Sequence, residues 1–365
     1  MSQFHSIKVS EINKETSDSV SVSFDIPENL KSDFDFIPGQ YLTLKMIING
    51  EDCRRSYSIC SSFDESLSVA VKKVPNGKMS TYLNESLNVG DTIDVMPPQG
   101  AFTLNPSPSN TRKFVGFAAG SGITPIMSMI KQLKIDEPNS EFLLFYCNKS
   151  DEETIFRNQF DQLISDKINV HFIYTRQKTK GFFAKKSSSL YNGRIDQDKA
   201  NELLKANMSW INSDAFYLCG PEEMIFGAKN ALESLGVLKD KVKFELFTTP
   251  VKLAEKKPES VDDNNIDDSE SFDGEAMVTV ICDDEEIEFS LDKDGDTILD
   301  AAMDEDLDVP FSCKGAVCCT CKAKVVEGKV TMDANYALSE EEVADGFVLA
   351  CQAHPASAKV IIDFD

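Results

Sequence analysis

The sequence predicts a multidomain protein: an antiparallel β-barrel, then an α/β domain with a parallel sheet, then a small domain of short strands and helices. Three observations predict this order. The first hundred residues alternate apolar and polar side chains between turn signals, and the region from Lys113 onward alternates strands with longer helical stretches. Near the C-terminus, four cysteines have a distinctive spacing. A chain of 365 residues also exceeds one ordinary core.

The first domain, residues 1–108, is predicted from strands of alternating pattern. These strands are S-V-S-V-S-F-D-I, Q-Y-L-T-L-K-M-I-I, S-L-S-V-A-V-K and D-T-I-D-V-M. Strands of this kind form an antiparallel sheet that closes into a barrel or a sandwich. A further strand carries Arg55-Ser56-Tyr57-Ser58. Arginine can bind phosphate bidentately and an aromatic ring can cover a flat ligand, although such residues also occur in ordinary strands.

The second domain, residues 109–250, is predicted from the strands K-F-V-G-F-A-A, E-F-L-L-F-Y-C, V-H-F-I-Y-T and A-F-Y-L-C. Strands that alternate with helices favour a parallel sheet. The first strand runs into G-S-G-I-T-P, residues 120–125, where Thr124 suits an N-cap and Pro125 suits the first helical position. A glycine turn at a helix N-terminus can hold a pyrophosphate. A tight turn without a ligand is the alternative.

A second strand-to-helix turn lies in Y-L-C-G-P-E-E-M, with Cys219, Gly220 and Pro221. Ligands of open α/β sheets bind at the carboxyl ends of the strands. We therefore expect Cys219 and Gly220 to line the same crevice as the first glycine turn.

Residues 251–274 are poor in large apolar side chains and rich in charge, which predicts a flexible acidic linker. In residues 275–365, M-V-T-V-I-C and I-E-F-S-L flank an acidic turn as a hairpin. A helix is expected behind an aspartate N-cap at D-T-I-L, and Ser339 with Glu342 forms a capping-box pattern. Mixed short elements around a cysteine loop suit a small β-grasp domain.

The cysteines Cys313, Cys318, Cys321 and Cys351 have the spacing C-x4-C-x2-C…C of a plant-type [2Fe–2S] cluster. Small residues in the loop between them let backbone N–H groups approach the cluster sulfurs. Cys319 lies between ligands and is interpreted as a spare thiol.

Three alternatives use the same cysteines. A zinc site could combine Cys318, Cys321 and Cys351 with His354, but it leaves Cys313 without a role. A Rieske centre needs a second histidine, and the other two in the chain lie far away in sequence. Four buried structural thiols are the third alternative.

The net charge of −24 is concentrated at the C-terminus. Residues 275–365 hold 22 acidic residues against six lysines, a net −16, and the linker carries −5. Such a field repels nucleic acid and anionic membranes and would steer a basic partner toward the cluster, or it is simply a solvated surface. With no long apolar run, no signal pattern and scattered lone cysteines, we expect a cytoplasmic protein without a membrane segment.

Together, R-S-Y-S, G-S-G-I-T-P, C-G-P-E-E-M and the cysteine loop resemble the ferredoxin–NADP reductase superfamily fused to a plant-type ferredoxin. The resemblance covers the chain apart from the linker, and it is strongest to reductase components of phenylacetyl-CoA epoxygenases. It implies electron transfer from NADPH to FAD, to the [2Fe–2S] cluster and to a diiron oxygenase that docks near the acidic domain. The alternatives are another oxygenase, hydroxylase or desaturase as acceptor, or a non-catalytic nucleotide sensor with a zinc module.

The resemblance also implies residue roles. Arg55 would hold FAD phosphate, Tyr57 would pack on the flavin, and Ser58 would hydrogen-bond near flavin N5. A second flavin-phosphate turn would consist of Gly77, Lys78, Met79 and Ser80. The nicotinamide dinucleotide would lie against Gly120, Ser121, Gly122, Thr124, Cys219, Gly220 and Pro221. Tyr57, Ser58 and Cys219 would line the hydride path, with Phe247 as a flavin-proximal aromatic or a core residue.

Thr175-Arg176 resembles the Ser/Thr-Arg pair that receives the 2′-phosphate of NADPH in this family. An arginine near the ribose meets the charge requirement of that phosphate. Lys178 and Lys180 add positive charge. We therefore expect NADPH to be preferred, with NADH as the alternative.

Overall fold

A computed structural model of the protein describes residues 4–176, 189–248, 272, 274–283 and 285–365. The contacts divide the chain into two compact units, of which the larger covers residues 5–53 and 57–247 and the smaller is built on the C-terminal region. The predicted linker falls almost wholly outside the described residues, as do Lys178 and Lys180. Along the described parts of the chain, no helix combines the length and apolar character needed to cross a membrane.

The first sheet has six strands, which are β1 (His5–Thr16), β2 (Ser19–Asp25), β3 (Tyr41–Ile48), β4 (Glu51–Ser58), β5 (Ser68–Lys72) and β6 (Thr92–Gln99). Their order is β4-β3-β6-β1-β2-β5. Directly after β4, Ile59 pairs with Val69 of β5, and the Cys60 N–H donates to the Ser68 carbonyl at 2.9 Å. These contacts join the two ends of the sheet, so the predicted barrel is confirmed over the sandwich. Helix α1 (Lys78–Glu85) follows β5.

The α/β region contains β7 (Lys113–Ala119), α2 (Ile123–Asp136), β8 (Glu141–Asn148), α3 (Arg157–Leu163), β9 (Ile168–Tyr174), α4 (Gln197–Ala206), β10 (Ala215–Cys219), α5 (Glu222–Ser234) and β11 (Val242–Glu245). The strands pair in parallel in the order β11-β10-β7-β8-β9, as predicted. Phe117, Phe145 and Phe216 are fully buried, as expected for strands covered on both faces. Strand β7 lies between β8 and β10, so this sheet has its switch point at β7.

The start of α2 differs from the prediction. Thr124 is not the N-cap, because the helix begins at Ile123 after a 3-10 turn of Gly120–Gly122. Thr124 is buried in the first helical turn, and its hydroxyl donates to the Ser121 carbonyl at 3.0 Å. Pro125 is the third helical residue rather than the first, a position where its missing N–H still costs no helical bond.

An ion pair fixes the start of the parallel sheet. Arg112, just before β7, donates from Nε and Nη2 to the two carboxylate oxygens of Glu137, at 2.8 and 2.6 Å. Glu137 also accepts from the Ser140 hydroxyl and the Ser107 N–H, and its side chain is fully buried. Burial raises the pKa of Glu137, but these hydrogen bonds outweigh it and hold the pKa at about 2. The strand and the end of α2 are therefore joined by a charged pair with satisfied hydrogen bonds.

The C-terminal unit contains β12 (Glu275–Cys282), β13 (Glu285–Asp292), α6 (Ile298–Asp304), β14 (Lys322–Glu327), β15 (Val330–Met332), α7 (Glu340–Ala344), β16 (Phe347–Leu349), β17 (Ala353–Pro355) and β18 (Lys359–Asp363). One sheet has the order β13-β12-β18-β14-β16, and β15 pairs with β17. The β12–β13 hairpin is as predicted, and β12 pairs in parallel with β18. This mixed sheet with α6 packed on it is the expected β-grasp arrangement.

Helix caps in this unit confirm one prediction and correct another. Ser339 and Glu342 form the predicted capping box, with bonds of 3.1 and 2.9 Å. The N-cap of α6 is Thr297 rather than the preceding aspartate, because the Thr297 hydroxyl accepts the Asp300 N–H at 3.2 Å. Both residues suit the position chemically, and the backbone register of the turn decides between them.

We predict that Glu137→Gln destabilises the protein by about 3 kcal/mol at neutral pH, because Arg112 loses a buried partner. The pKa of Glu137 is lowered in the folded state, so its contribution is present above its ordinary value of 4.5 and is lost as the pH falls toward 2. Denaturant unfolding at pH 7 and at pH 3 measures the difference. Glu85→Gln, which breaks the exposed pair with Lys73, is the control and should change nothing. Equal stability of Glu137→Gln and the natural protein at pH 7 would contradict this account.

Candidate cofactor and cluster sites

The four cysteines of the predicted cluster come together as two pairs. The sulfurs of Cys313 and Cys318 are 3.1 Å apart, and Cys321 forms a side-chain hydrogen bond with Cys351. All but Cys313 are buried. The Ala350 N–H donates to the Cys321 carbonyl at 3.0 Å, which holds the distant Cys351 segment against the loop.

Backbone N–H groups of the cysteine loop point at the sulfurs. The Gly315 N–H donates to the Cys313 sulfur at 3.3 Å, and Lys314 and Ala316 have the positive φ values of 47° and 62° that turn the loop around it. The hydrogen bond with Cys318 lowers the pKa of Cys313 to about 6, with further lowering from loop N–H groups and against the effect of burial. The loop therefore stabilises the thiolate of Cys313, which is the form of cysteine that binds iron.

This donor set fits a binuclear iron cluster better than a single metal ion. Two thiolates per iron account for all four cysteines in two pairs. Within the described residues, no group of three or more His, Cys, Asp or Glu side chains is placed to hold one metal ion. His354 instead shares a hydrogen bond with Asp333 at 3.1 Å, and the Cys319 thiol lies 3.6 Å from the Ala337 carbonyl. Neither residue completes a zinc site.

Strand β4 presents the predicted flavin residues at its C-terminal end. Arg55 is exposed, Tyr57 is partly buried against the barrel core, and Ser58 is buried. The exposed guanidinium of Arg55 donates to the Arg54 carbonyl at 2.6 Å. An exposed cation, a half-covered ring and a buried hydroxyl in one strand suit a phosphate, a flat ring and a polar ring atom.

Glu245 is a functional candidate that the sequence prediction missed. The Ser58 hydroxyl donates to Glu245 Oε2 at 3.3 Å, across 187 residues of chain. Glu245 is partly buried at the end of β11, and burial raises the pKa of its carboxyl to about 8 against the lowering effect of the Ser58 hydrogen bond. The one sequence signal that could have identified Glu245 is an acidic residue within the otherwise strand-like stretch V-K-F-E.

The turn at residues 77–80 leads into α1 as predicted. Gly77 is the N-cap and makes no side-chain capping bond, so the first N–H groups of α1 are available to a phosphate. The Ser80 hydroxyl accepts the Val74 N–H at 3.2 Å, which shapes the turn. Lys78 forms an ion pair with Glu51. Met79 is buried in the barrel core, so only its backbone can contact a phosphate.

The two strand-to-helix turns of the α/β region meet, as expected. A Cβ on Gly122 would lie 2.1 Å from the Cys219 carbonyl oxygen and 2.8 Å from the Gly220 nitrogen, so only glycine fits there. Gly120 takes φ +55°, and its carbonyl accepts the Tyr146 hydroxyl at 3.1 Å. The carboxyl ends of β7 and β10 thus form one edge at which a dinucleotide can bind.

Cys219 is fully buried beside Glu245. The two residues are register partners in the parallel pair of β10 and β11. Burial raises the pKa of the Cys219 thiol, and the nearby Glu245 carboxyl raises it further. The thiol is therefore neutral. It contributes shape and polarisability rather than charge.

The predicted 2′-phosphate residues Thr175 and Arg176 directly follow β9, the outer strand of the parallel sheet, and so also lie at the carboxyl ends of the strands. The N–H groups of Thr175 and Arg176 donate to the carbonyls of Asn148 and Lys149 at 3.0 and 2.8 Å, and the Arg176 side chain is exposed.

Phe247 is 40% exposed, so the alternative of an ordinary core role is wrong.

Three family models match the chain in the order that the fold shows. An oxidoreductase FAD-binding domain matches residues 6–104, an oxidoreductase NAD-binding domain matches 117–230, and a 2Fe–2S iron–sulfur cluster binding domain matches 280–356. The chain is a flavin- and iron–sulfur-dependent oxidoreductase that uses FAD, NAD(P)H and a [2Fe–2S] cluster.

Relatives of known function cover the whole chain. A subunit of 1,2-phenylacetyl-CoA epoxidase from Escherichia coli K12 is 37% identical over 100% of this chain and 99% of its own. The ferredoxin reductase component of 3-ketosteroid-9-alpha-monooxygenase from Rhodococcus rhodochrous is 29% identical over 98% and 96%. The chain therefore belongs to the oxygenase-reductase family that includes this phenylacetyl-CoA epoxidase subunit. Phthalate dioxygenase reductase has the same fold, with a TM-score of 0.54 and 23% identity over 99% of this chain and 98% of its own.

We predict that Cys318→Ser abolishes the iron–sulfur absorbance and lowers the iron content, because one iron loses one of its two thiolates. His354→Ala and Cys319→Ser are the controls and should retain full iron, since neither residue belongs to the two pairs. Absorbance spectra and metal analysis of the purified full chain measure both. Loss of a metal from His354→Ala would revive the zinc alternative.

Proposed function

We propose that the protein is the reductase component of a multicomponent oxygenase, and specifically that it delivers electrons from NADPH to the diiron oxygenase of phenylacetyl-CoA epoxidation in phenylacetate degradation. The full-length similarity to a phenylacetyl-CoA epoxidase component carries this proposal. The chemistry follows from electron counts: when bound, FAD accepts the two electrons of a hydride and releases them singly to the cluster. The protein residues bind, orient and shield these groups.

In this proposal Arg55 holds FAD phosphate together with the turn of Gly77, Lys78, Met79 and Ser80. Tyr57 covers the flavin ring and Ser58 hydrogen-bonds beside its N5 atom. The bond between Ser58 and Glu245 orients that hydroxyl, which makes Glu245 a positioning residue. Because Glu245 is protonated below pH about 8, the hydride path gains no negative charge at neutral pH.

The dinucleotide binds at the edge formed by the two strand-to-helix turns. Gly120, Ser121 and Gly122 face its pyrophosphate, and Thr124 supports the turn through its bond to the Ser121 carbonyl. The buried Cys219 thiol, with Gly220 and Pro221, lies along the nicotinamide path. Thr175 and Arg176 receive the 2′-phosphate, so NADPH is the preferred donor.

The partner and compartment follow from charge and chemistry. We propose that the oxygenase docks near the acidic C-terminal unit, since the net charge of −16 in residues 275–365 would steer a basic surface toward the cluster. We propose a cytoplasmic location, where free thiols stay reduced. The proposed domain boundaries are 1–108, 109–250 and 275–365, with a linker at 251–274.

A second candidate keeps the same chemistry with another acceptor. Relatives over nearly the full chain include the reductase components of 3-ketosteroid-9-alpha-monooxygenase and of glycine betaine monooxygenase. The nucleotide-sensor alternative with a zinc module has no support, because the cysteine loop matches a cluster-binding domain.

We predict that the rate of flavin reduction by NADPH falls as the pH rises above about 8, by up to about tenfold per pH unit, because ionised Glu245 opposes the arriving negative charge. Glu245→Gln keeps a neutral acceptor for Ser58, so its rate should stay flat over the same range. Anaerobic stopped-flow absorbance of the FAD-loaded protein measures the rate. Glu233→Gln, on exposed α5 surface, should keep the fall. An unchanged fall in Glu245→Gln would remove Glu245 from the hydride path.

The partner is tested by reconstitution with candidate oxygenases. We expect NADPH-dependent epoxide formation from phenylacetyl-CoA when the protein is mixed with a phenylacetyl-CoA oxygenase. The Cys318→Ser variant should support no product, since electrons leave through the cluster. Product formation only with a 3-ketosteroid or glycine betaine oxygenase would replace the proposed partner with that acceptor.

A further inference from the structure

We propose that Lys149 is a specificity-determining residue that binds the 2′-phosphate of NADPH together with Arg176. This inference rests on the proposed function, because it refines the NADPH site. A 2′-phosphate carries nearly two negative charges at neutral pH, and one arginine neutralises only part of that charge. The structure identifies where a second cation lies.

The backbone brings Lys149 beside Arg176. Strands β8 and β9 pair in parallel up to Asn148 and Tyr174, and the pairing continues past both strand ends. The Arg176 N–H donates to the Lys149 carbonyl at 2.8 Å. Both side chains are exposed at the edge of the sheet where the dinucleotide binds. The two cations are thus neighbours by register, although they are 27 positions apart in the sequence.

Two of the acidic residues that follow Lys149 are engaged in ion pairs of their own. Asp151 accepts the Tyr174 hydroxyl at 2.7 Å and the Arg157 Nε at 2.8 Å. Arg157 therefore neutralises Asp151, the acidic residue nearest to Lys149 in the sequence. Glu153 forms an ion pair with Lys149 itself, with 3.1 Å between Nζ and Oε2. That pair is partly exposed and therefore weak, so it can be exchanged for a phosphate.

The ion pair of Lys149 and Glu153 controls the affinity of the site for the 2′-phosphate, and each of its members can be changed separately. Removing the lysine deletes one of the two cations that meet the phosphate. Removing the charge of Glu153 frees Lys149 from its competitor. Substitutions at the two positions should therefore shift the NADP⁺/NAD⁺ ratio in opposite directions, which a general loss of folding would not do.

The test measures equilibrium binding of NADP⁺ and NAD⁺ to the FAD- and cluster-loaded full chain by calorimetry. Lys149→Gln should weaken NADP⁺ binding by about tenfold and leave NAD⁺ binding unchanged, as expected for loss of one charge-assisted bond. Glu153→Gln should strengthen NADP⁺ binding by about twofold to fivefold. The matched control is Lys167→Gln, which removes the same charge from an exposed ion pair just before β9, at the opposite edge of the sheet.

The possible results distinguish the proposed role of Lys149 from the proposed preference for NADPH. A selective loss of NADP⁺ binding in Lys149→Gln, with no such loss in Lys167→Gln, supports the inference. Equal NADP⁺ binding by Lys149→Gln and Lys167→Gln overturns it, while the preference of the natural protein for NADP⁺ still supports the proposed donor. A natural protein that binds NAD⁺ more tightly contradicts the proposed donor, and the selectivity change in Lys149→Gln still decides the role of this lysine.

Discussion

The contact of Gly122 with the backbone of Cys219 and Gly220 is the constraint on which the larger unit, with its barrel and parallel sheet, depends. A Cβ at Gly122 would lie 2.1 Å from the Cys219 carbonyl oxygen, so the two turns can meet only through glycine. The meeting places the ends of β7 and β10 at one edge of the sheet. From there the contacts continue, because Cys219 is in register with Glu245 and Glu245 accepts the Ser58 hydroxyl. One short series of contacts thus connects the dinucleotide turn to the strand that presents the flavin residues.

The pKa values of Cys313 in the cysteine loop and of the groups around the hydride path shift in opposite directions, for different physical reasons. Around the hydride path, burial raises the pKa of the Cys219 thiol and of the Glu245 carboxyl, so both groups stay neutral near pH 7. In the cysteine loop, a hydrogen bond from Cys318 and backbone N–H groups lower the pKa of Cys313. A neutral lining favours the arrival of a hydride, whereas the N–H donors of the loop stabilise the Cys313 thiolate.

Much of the fold could be predicted because apolar periodicity reports burial directly. The strands of the barrel and of the parallel sheet, the hairpin before the cysteine loop and the capping box at Ser339 all follow from local pattern. The N-caps of α2 and α6 were misplaced, because the 3-10 turn at Gly120 and the register at Thr297 depend on backbone geometry. Glu245 was missed since its partner Ser58 lies 187 residues away, and no spacing rule connects them. Met79 belongs to the proposed phosphate turn through its backbone, and its side chain fills the barrel core.

The central claim is that one chain takes electrons in pairs and releases them singly through its cluster. An anaerobic titration with NADPH, followed by flavin absorbance and by the paramagnetic resonance signal of the reduced cluster, tests this claim directly. The account predicts full reduction at about 1.5 equivalents of NADPH per chain, two electrons for FAD and one for the cluster, with the cluster signal present at the end. An end point at about one equivalent in protein with its full iron content, without a cluster signal, would contradict it.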